Sequence, residues 1–147
     1  MICDVQFTRL RPEAAQPARA TQGAAGSDLR ACLDQPLTVN PGARVLVPTG
    51  LAIALPEDTA GFVFARSGLA VKQGLALANG VGVVDSDYRG ELLVPLINLS
   101  DAPQIIEHGD RVAQLCVMPV CPAVFTEANE LPTTARGPNG FGSTGVS

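Results

Sequence analysis

Short apolar and β-branched stretches recur along most of the chain, and Pro, Gly, Asn and Asp separate them. Stretches of this kind are typical of strands, since the helices of globular proteins are usually longer. They predict strands over Arg44 to Leu55, Gly61 to Ala65, Leu75 to Leu77, Val81 to Val84, Glu91 to Leu99 and Arg111 to Val120. The sequence therefore predicts an all-β fold.

Turn residues fall between the predicted strands. Asn40-Pro41-Gly42, Pro56-Glu57-Asp58 and His108-Gly109-Asp110 each stand where one strand should end and the next begin. Asn79-Gly80 predicts a hairpin, because this dipeptide favours a tight two-residue turn. Many short strands joined in this way favour a jelly-roll-like β-barrel.

Two segments depart from the strand pattern. Ser67 to Lys72 predicts one very short helix, capped by its first residue and closed by Gly74 in the left-handed conformation. From about Thr126 polar residues, Pro and Gly replace the apolar pattern, so this part cannot contribute a strand to the core. We therefore predict a β-barrel domain over residues 1–125 and a flexible C-terminal arm over residues 126–147.

The composition narrows the classes of partner. The chain has 147 residues, the usual size of one domain, and a net charge of -4 with a pI near 4.8. Nucleic acids and membrane surfaces are bound mainly through dense positive charge, so we expect neither as a partner. Lys72 is the only lysine and the other cations are Arg, which favours forked hydrogen bonds to carboxylates and phosphates.

The four cysteines indicate a reducing compartment. Cys3, Cys32, Cys116 and Cys121 form no C-x-x-C pair, and the first residues do not have the layout of a secretory signal. With His108 as the single histidine, these spacings match no common zinc site. We therefore expect a cytoplasmic protein whose reduced thiols are packed in the interior.

The most concentrated candidate chemistry follows a strongly apolar strand. Asp85, Asp87, Tyr88 and Arg89 lie within Gly82 to Glu91, and such clustering at a strand end favours a site. Asp85 and Asp87 would share one side of a continued strand, so one could activate water while the other makes structure. The alternative is a solvated turn in which Asp87 pairs with Arg89, and charged turns are more often of this kind.

Two further segments could bind anions. Arg66-Ser67-Gly68 opens the predicted helix, where N–H groups, a hydroxyl and a guanidinium suit an anion, although Ser67 alone is better explained as a cap. Gly140 to Gly145 matches G-x-G-x-x-G, but no strand precedes it and no helix follows it, which excludes a dinucleotide fold. Its glycines and hydroxyls, with Arg136 nearby, instead predict an anion-binding lid, and a disordered terminus is the alternative.

Two common catalytic arrangements do not fit the sequence. Lys72 lacks the glycine spacing of a Walker loop, and His108 stands in a predicted turn, so a Ser-His-Asp triad is not credible. Ala25 to Leu29 and Gly109 to Leu115 are polar turns that lead into apolar strands. By themselves these two segments indicate only a structural role.

Taken in chain order, five segments resemble the five motifs of the trimeric dUTPase family. They are A-G-S-D-L at 25–29, R-S-G-L-A at 66–70, N-G-V-G-V-V-D-S-D-Y-R-G-E at 79–91, G-D-R-V-A-Q-L at 109–115 and R-G-P-N-G-F-G-S-T-G at 136–145. Ala65 stands where Pro often precedes Arg-Ser, and Val84 where Ile is common, and neither change removes a polar group. The resemblance implies a homotrimer with shared active sites that hydrolyses dUTP to dUMP and pyrophosphate, which keeps uracil out of DNA and supplies dUMP for dTMP synthesis.

The resemblance also implies roles around the nucleoside. Asp85 would be the general base that deprotonates a water molecule for attack on the α-phosphorus. A hairpin from Asn79 to Val84 would bind uracil through main-chain groups, with Gly82 among them, and through the Asn79 side chain. Tyr88 would pack under deoxyribose and leave no room for a ribose 2′-hydroxyl.

On the phosphate side the resemblance implies a larger set of ligands: Arg66, Ser67, Gly68, Gln114 and Arg136. Mg²⁺ would be held mostly by the triphosphate and water, with Asp28 in indirect contact through water. In the arm, Phe141 would stack on uracil. The γ-phosphate would be contacted by Gly142, Ser143 and Thr144.

Two rival functions stay open. A dCTP deaminase would share the fold and the trimer, but it would need a different pocket and would not explain D-S-D-Y or the G-F-G-S-T-G arm. A nucleotide sensor without catalysis is the second rival, and the presence of Asp85 argues for turnover instead.

Overall fold

The structure is a computed structural model that describes residues 3–138 and 140. Its strands are β1 Gln6–Arg9, β2 Ser27–Arg30, β3 Leu37–Val39, β4 Arg44–Pro48, β5 Leu51–Ala54, β6 Thr59–Phe64, β7 Leu75–Leu77, β8 Gly82–Val84, β9 Leu93–Asn98, β10 Gln104–Ile106 and β11 Arg111–Pro119. One helix, α1 Ser67–Gln73, lies between β6 and β7. The predicted all-β fold with a single very short helix is confirmed.

The strands form small antiparallel sheets. Two sheets have two strands each, β1 with β5 and β10 with β3, and a third has the order β4-β9-β7. The fourth sheet, in the order β2-β11-β6-β8, carries most of the candidate site. Within the described residues the hydrogen bonds do not close into one ring, and the layered arrangement is jelly-roll-like.

The core is built from alternate residues of strands in all four sheets. In β9, for example, Val94, Leu96 and Asn98 are buried while Leu93 is exposed, as the period of two along a strand requires. Leu29 of β2 and Val39 of β3 are fully buried in the same cluster. The sheets are therefore held together mainly by apolar burial between them.

The predicted strand over Arg44 to Leu55 is wrong as one element, because the chain breaks it at Thr49 and Gly50. Gly50 has φ 68°, a left-handed conformation that ends the ladder. The buried Thr49 hydroxyl donates to the Leu92 oxygen at 2.7 Å and accepts from the Leu51 N–H at 3.3 Å. As a result β4 pairs with β9, whereas β5 pairs with β1.

The predicted hairpin at Asn79-Gly80 is also wrong, although the turn itself is present. Gly80 has φ 72°, and its N–H donates to the Leu77 oxygen at 3.1 Å. The strands on either side do not pair with each other, since β7 pairs with β9 and β8 pairs with β6. The turn therefore carries the chain from one sheet to another.

Helix α1 differs from its prediction at the first residue. Ser67 is not the cap; Arg66 holds that position with extended backbone angles, φ -96° and ψ 127°, and makes no side-chain capping bond. The left-handed Gly74 at the other end is confirmed, with φ 67° and ψ 14°. Ser67 is therefore released from capping and stands exposed in the first turn.

The cysteines and the end of the chain complete the fold. All four cysteines are free, and burial raises the pKa of the Cys32 thiol. Cys3 and Cys121 are exposed, so the prediction that the thiols pack in the interior is wrong for these two. After β11 the described chain to Pro138 forms no helix or strand. Among the described residues, no helix is long and apolar enough to cross a membrane.

Candidate active site

The first group of predicted site residues lies where β2, β11 and β6 run side by side. Asp28, Gln114 and Phe64 are neighbours in register across these three strands. The Gln114 Nε2 donates to the Ala65 oxygen at 3.0 Å. Because Ala65 directly follows β6, this bond fixes the strand end from which Arg66 extends towards Asp28.

The Asp28 carboxylate lies between two guanidinium groups. Its Oδ1 is 2.9 Å from the Arg66 Nε, and its Oδ2 accepts from an Arg111 terminal nitrogen at 3.3 Å. The Asp28 side chain is only 13% exposed, so water screens these attractions less than it would at the surface. Two positive charges around one negative charge leave the group net positive, which suits a phosphate ligand.

The start of α1 is open beside this group. Ser67 and Gly68 are both exposed, and a Cβ added to Gly68 would meet no atom within 4 Å. A ligand that reaches Arg66 therefore encounters no steric barrier from Gly68. The structure places Arg66, Ser67, Gly68 and Gln114 in one region, since Gln114 contacts Ala65 and the other three residues directly follow it.

The second group lines a cavity of about 250 Å³ that β8 and the turn after it form with residues of β4 and β9. The predicted residues among its lining are Asn79, Gly82, Val84, Asp85 and Tyr88. Its volume is just below the ~300–1,000 Å³ of sites for drug-sized ligands. A base and a sugar are smaller than such ligands, so the cavity suits a nucleoside.

Tyr88 is held against the main chain of the residues that follow it. Its hydroxyl donates to the Glu91 oxygen at 3.0 Å. A Cβ added to Gly90 would lie 2.6 Å from the ring carbon Cζ, so only glycine allows the ring this close. The Glu91 side chain in turn accepts from the Gly50 N–H at 2.7 Å, which anchors the segment to the break between β4 and β5.

Asp85 and Asp87 lie on a turn rather than on a continued strand. The Tyr88 N–H donates to the Asp85 oxygen at 3.1 Å, which closes a turn directly after β8. The Arg89 guanidinium donates to the main-chain oxygens of Ser86 and Tyr88, at 2.7 and 2.9 Å. In the described part of the chain no ion pair joins Asp87 to Arg89, so the alternative of a paired, purely structural turn is wrong in that detail.

The two groups are far apart within one chain. β6, from which Arg66 extends, is the direct neighbour of β8, so the two groups are separated along the strands rather than across the sheet. Val84, which precedes Asp85, pairs with Gly61, and Gly61 lies five residues before Arg66, or about 16 Å along an extended strand. A larger cavity of about 480 Å³ beside β1 and β11 has none of the predicted site residues in its lining.

The arm is described only in part. Arg136 lies within the described residues and is exposed. The remaining predicted arm contacts fall outside the described residues: Phe141, Gly142, Ser143 and Thr144.

A family model of dUTPases matches residues 12–145, which is nearly the whole chain. The chain belongs to the dUTPase family. A deoxyuridine 5'-triphosphate nucleotidohydrolase of Desulfitobacterium hafniense is 61% identical over 89% of this chain and 87% of its own length. One of Desulfotalea psychrophila is 52% identical over 88% of this chain and 87% of its own. The family predicted from the five motifs is thereby confirmed.

Solved dUTPase structures have the same fold. A dUTPase of Staphylococcus bacteriophage 80alpha, solved with dUpNHpp, superposes with a TM-score of 0.86 at 24% identity, over 97% of this chain and 99% of its own. A dUTPase of phage phi11 of S. aureus, described with a structural Mg(II) ion, gives a TM-score of 0.78 at 23% identity, over 88% and 99%. These likenesses confirm the jelly-roll-like fold expected for a dUTPase.

The sequence did not single out three residues that contact this dUTPase's predicted site. Arg111 pairs with Asp28, and Gly90 and Glu91 hold Tyr88. Each lies inside one of the five motifs, and this position could have indicated that the residue belongs to the site. Their roles depend on contacts between strands, which a motif does not specify.

Proposed function

We infer that this dUTPase, which hydrolyses dUTP to dUMP and pyrophosphate, does so in active sites shared between the subunits of a homotrimer. The observation that carries this inference is the separation, within one chain, between the cavity that Asp85 lines and the side chain of Arg66. A nucleotide bound in the cavity needs phosphate ligands close by, and a neighbouring copy would supply them. The strongly exposed Val124 and Phe125 support association, because exposed apolar side chains mark interaction surfaces.

Uracil recognition would use the free edge of β8. This strand pairs with β6 on one side and is the edge of its sheet, so the main-chain groups that alternate residues turn to the other side are available, and we assign uracil to those of Gly82 and Val84. Uracil offers a donor at N3 and acceptors at O2 and O4. Cytosine reverses part of this set and would leave site groups unpaired, which is worth roughly 10⁴-fold or more in discrimination.

Hydrolysis would begin at Asp85. Its exposed carboxylate lines the cavity and would deprotonate a water molecule that attacks the α-phosphorus, with pyrophosphate as the leaving group. Charge on the phosphate oxygens would be met by Arg66, Ser67 and Gln114 of the neighbouring subunit. The Gln114 amide nitrogen carries two N–H groups, so one can serve phosphate while the other holds the Ala65 oxygen.

Magnesium would reach the site bound to the triphosphate. The described residues contain no cluster of three or more His, Cys, Asp or Glu side chains that could hold a metal ion. Asp28, the predicted indirect ligand, already has both oxygens paired with guanidinium groups. The residues that the structure describes therefore do not form a closed metal site, and a water-mediated contact from Asp28 stays a prediction. When bound, Mg²⁺ would neutralise charge on the phosphates.

The arm would complete the site. We propose that Arg136 contacts phosphate, that Phe141 stacks on uracil, and that the γ-phosphate is contacted by Gly142, Ser143 and Thr144. The division into a domain over residues 1–125 and an arm over residues 126–147 belongs to this proposal. So do a cytoplasmic location and a role in removing dUTP and supplying dUMP.

A panel of nucleotides tests the proposed function. Purified protein with Mg²⁺ should release pyrophosphate from dUTP, with kcat/KM at least ~10⁴-fold above that for dCTP, and little from dTTP or UTP. Light scattering should give the mass of a trimer. Ammonia release from dCTP would instead indicate a deaminase, and binding of dUTP without pyrophosphate release would indicate a sensor.

Tyr88→Ala should narrow the preference for dUTP over UTP by about tenfold or more, because the ring occupies the space that a ribose 2′-hydroxyl needs. Tyr88→Phe is the matched control, since it keeps the ring and removes only the hydroxyl that bonds to Glu91. The phenylalanine variant should keep most of the preference. Equal losses on both sugars in Tyr88→Ala, with their kcat/KM ratio unchanged, would contradict the steric explanation.

A further inference from the structure

Arg111 and Gln114 share one face of β11 because of a bulge. Residues three apart on a regular strand point to opposite faces, since side chains alternate. In β11 the register with β2 shifts between Arg111 and Ala113, so Arg111 pairs with Arg30 while Gln114 pairs with Asp28. Such bulges re-aim side chains next to active sites. Here the bulge turns Arg111 towards the carboxylate that also contacts Arg66.

We propose that Arg111 is a positioning residue of the active site, which acts through Asp28 to set the orientation of the Arg66 guanidinium. This inference rests on the proposed role of Arg66 as a phosphate ligand. Asp28 contacts Arg66 at Nε, and within the described residues the two terminal nitrogens of Arg66 make no hydrogen bond. These nitrogens are therefore available to substrate phosphate.

The physical reason lies in the preferred geometry of a carboxylate with a guanidinium. A carboxylate with both oxygens available favours two parallel bonds to one guanidinium. Arg111 occupies the Asp28 Oδ2, which leaves only Oδ1 for Arg66. Without Arg111, Oδ2 would also turn to Arg66 and take a terminal nitrogen away from phosphate. The net positive charge of Asp28, Arg66 and residue 111 together would fall at the same time.

The affinities of the oligomer for two different ligands, measured separately, distinguish a positioning role of Arg111 from a general structural role. A non-hydrolysable imido analogue of dUTP reports the phosphate contacts, and deoxyuridine, which has no phosphate, reports the base and sugar contacts. In calorimetric titrations Arg111→Gln should raise the Kd of the analogue about tenfold, the loss expected for one charge-assisted hydrogen bond. The Kd of deoxyuridine should stay within about twofold.

Three further variants make the test specific. Arg111→Lys should restore most of the affinity, because an ammonium can still occupy the Asp28 Oδ2. Arg30→Gln is the matched control, since Arg30 is the strand partner of Arg111 but donates to the Gly109 oxygen. It should leave both Kd values unchanged. In an Arg66→Gln background, Arg111→Gln should add less than about twofold, because its effect passes through Arg66.

Each other outcome overturns the inference. Equal weakening of both ligands in Arg111→Gln would mean that the residue only supports the fold. A full tenfold loss in the Arg66→Gln background would mean that Arg111 contacts phosphate itself, and no loss in either background would mean that it has no role. Failure of the unmodified protein to bind the analogue would instead contradict the proposed function, so the two failures are distinguishable.

Discussion

Asp85→Asn should lower kcat for dUTP by at least ~10²-fold while leaving nucleotide binding intact. The amide has nearly the same size as the carboxylate and can orient a water molecule, but it cannot accept the proton. In the described residues the Asp85 side chain makes no hydrogen bond or ion pair, so the substitution removes no contact that supports the fold. Single-turnover hydrolysis measures the chemical step, and titration with a non-hydrolysable analogue measures binding.

Asp87→Asn is the matched control for this prediction. Asp87 belongs to the same turn and is also exposed, yet it is not part of the cavity lining. Its amide variant should therefore affect kcat much less. A larger loss at Asp87 than at Asp85 would mean that the roles of the two carboxylates are reversed, and turnover near that of the unmodified protein in Asp85→Asn would exclude it as the base.

The sequence predicted strands within uninterrupted apolar stretches, and it missed short strands that contain polar residues. β1 and β2 read QFTR and SDLR, and most of their residues are not buried. β3 and β10 have three residues each and pair only with one another. Alternation cannot be measured over three residues; β7 and β8 are as short but were predicted because they read LAL and GVV without a polar residue.

The two wrong connections have a common physical cause. Asn79-Gly80 forms a turn, and Gly50 breaks a continuous apolar stretch, as their residue types allow. Which strands then pair is decided by packing across the whole core, so the same turn residues can end a hairpin or connect two sheets. Local turn signals were therefore reliable, whereas partner assignments made from them were not.

The candidate site shows the same division. Five motifs identified the family and most of the residues, because each motif is contiguous in sequence. The pairing of Arg111 with Asp28 depends on a bulge in the register of β11 with β2, which leaves no mark in either motif. The distance between Asp85 and Arg66 likewise follows from the register of β8 with β6. Contacts of this kind need a structure.

A shared site has a consequence that no single variant reveals. Asp85→Asn removes the base, and Arg66→Gln removes a phosphate ligand. A trimer made of either variant alone should therefore be nearly inactive. When the two chains form mixed trimers, one site in each trimer takes Asp85 from one chain and Arg66 from the other. Random assembly makes three quarters of the trimers mixed, so about a quarter of all sites should be intact.

The most direct measurement is therefore the dUTP hydrolysis rate of the two variants after they are unfolded together and refolded as a mixture. The shared site predicts that the mixture recovers about a quarter of the activity of the unmodified protein. The same two proteins combined without unfolding provide the control and should stay inactive. A refolded mixture that contains mixed trimers but is no more active than either variant alone would show that Asp85 and Arg66 act within one chain, and would contradict the account.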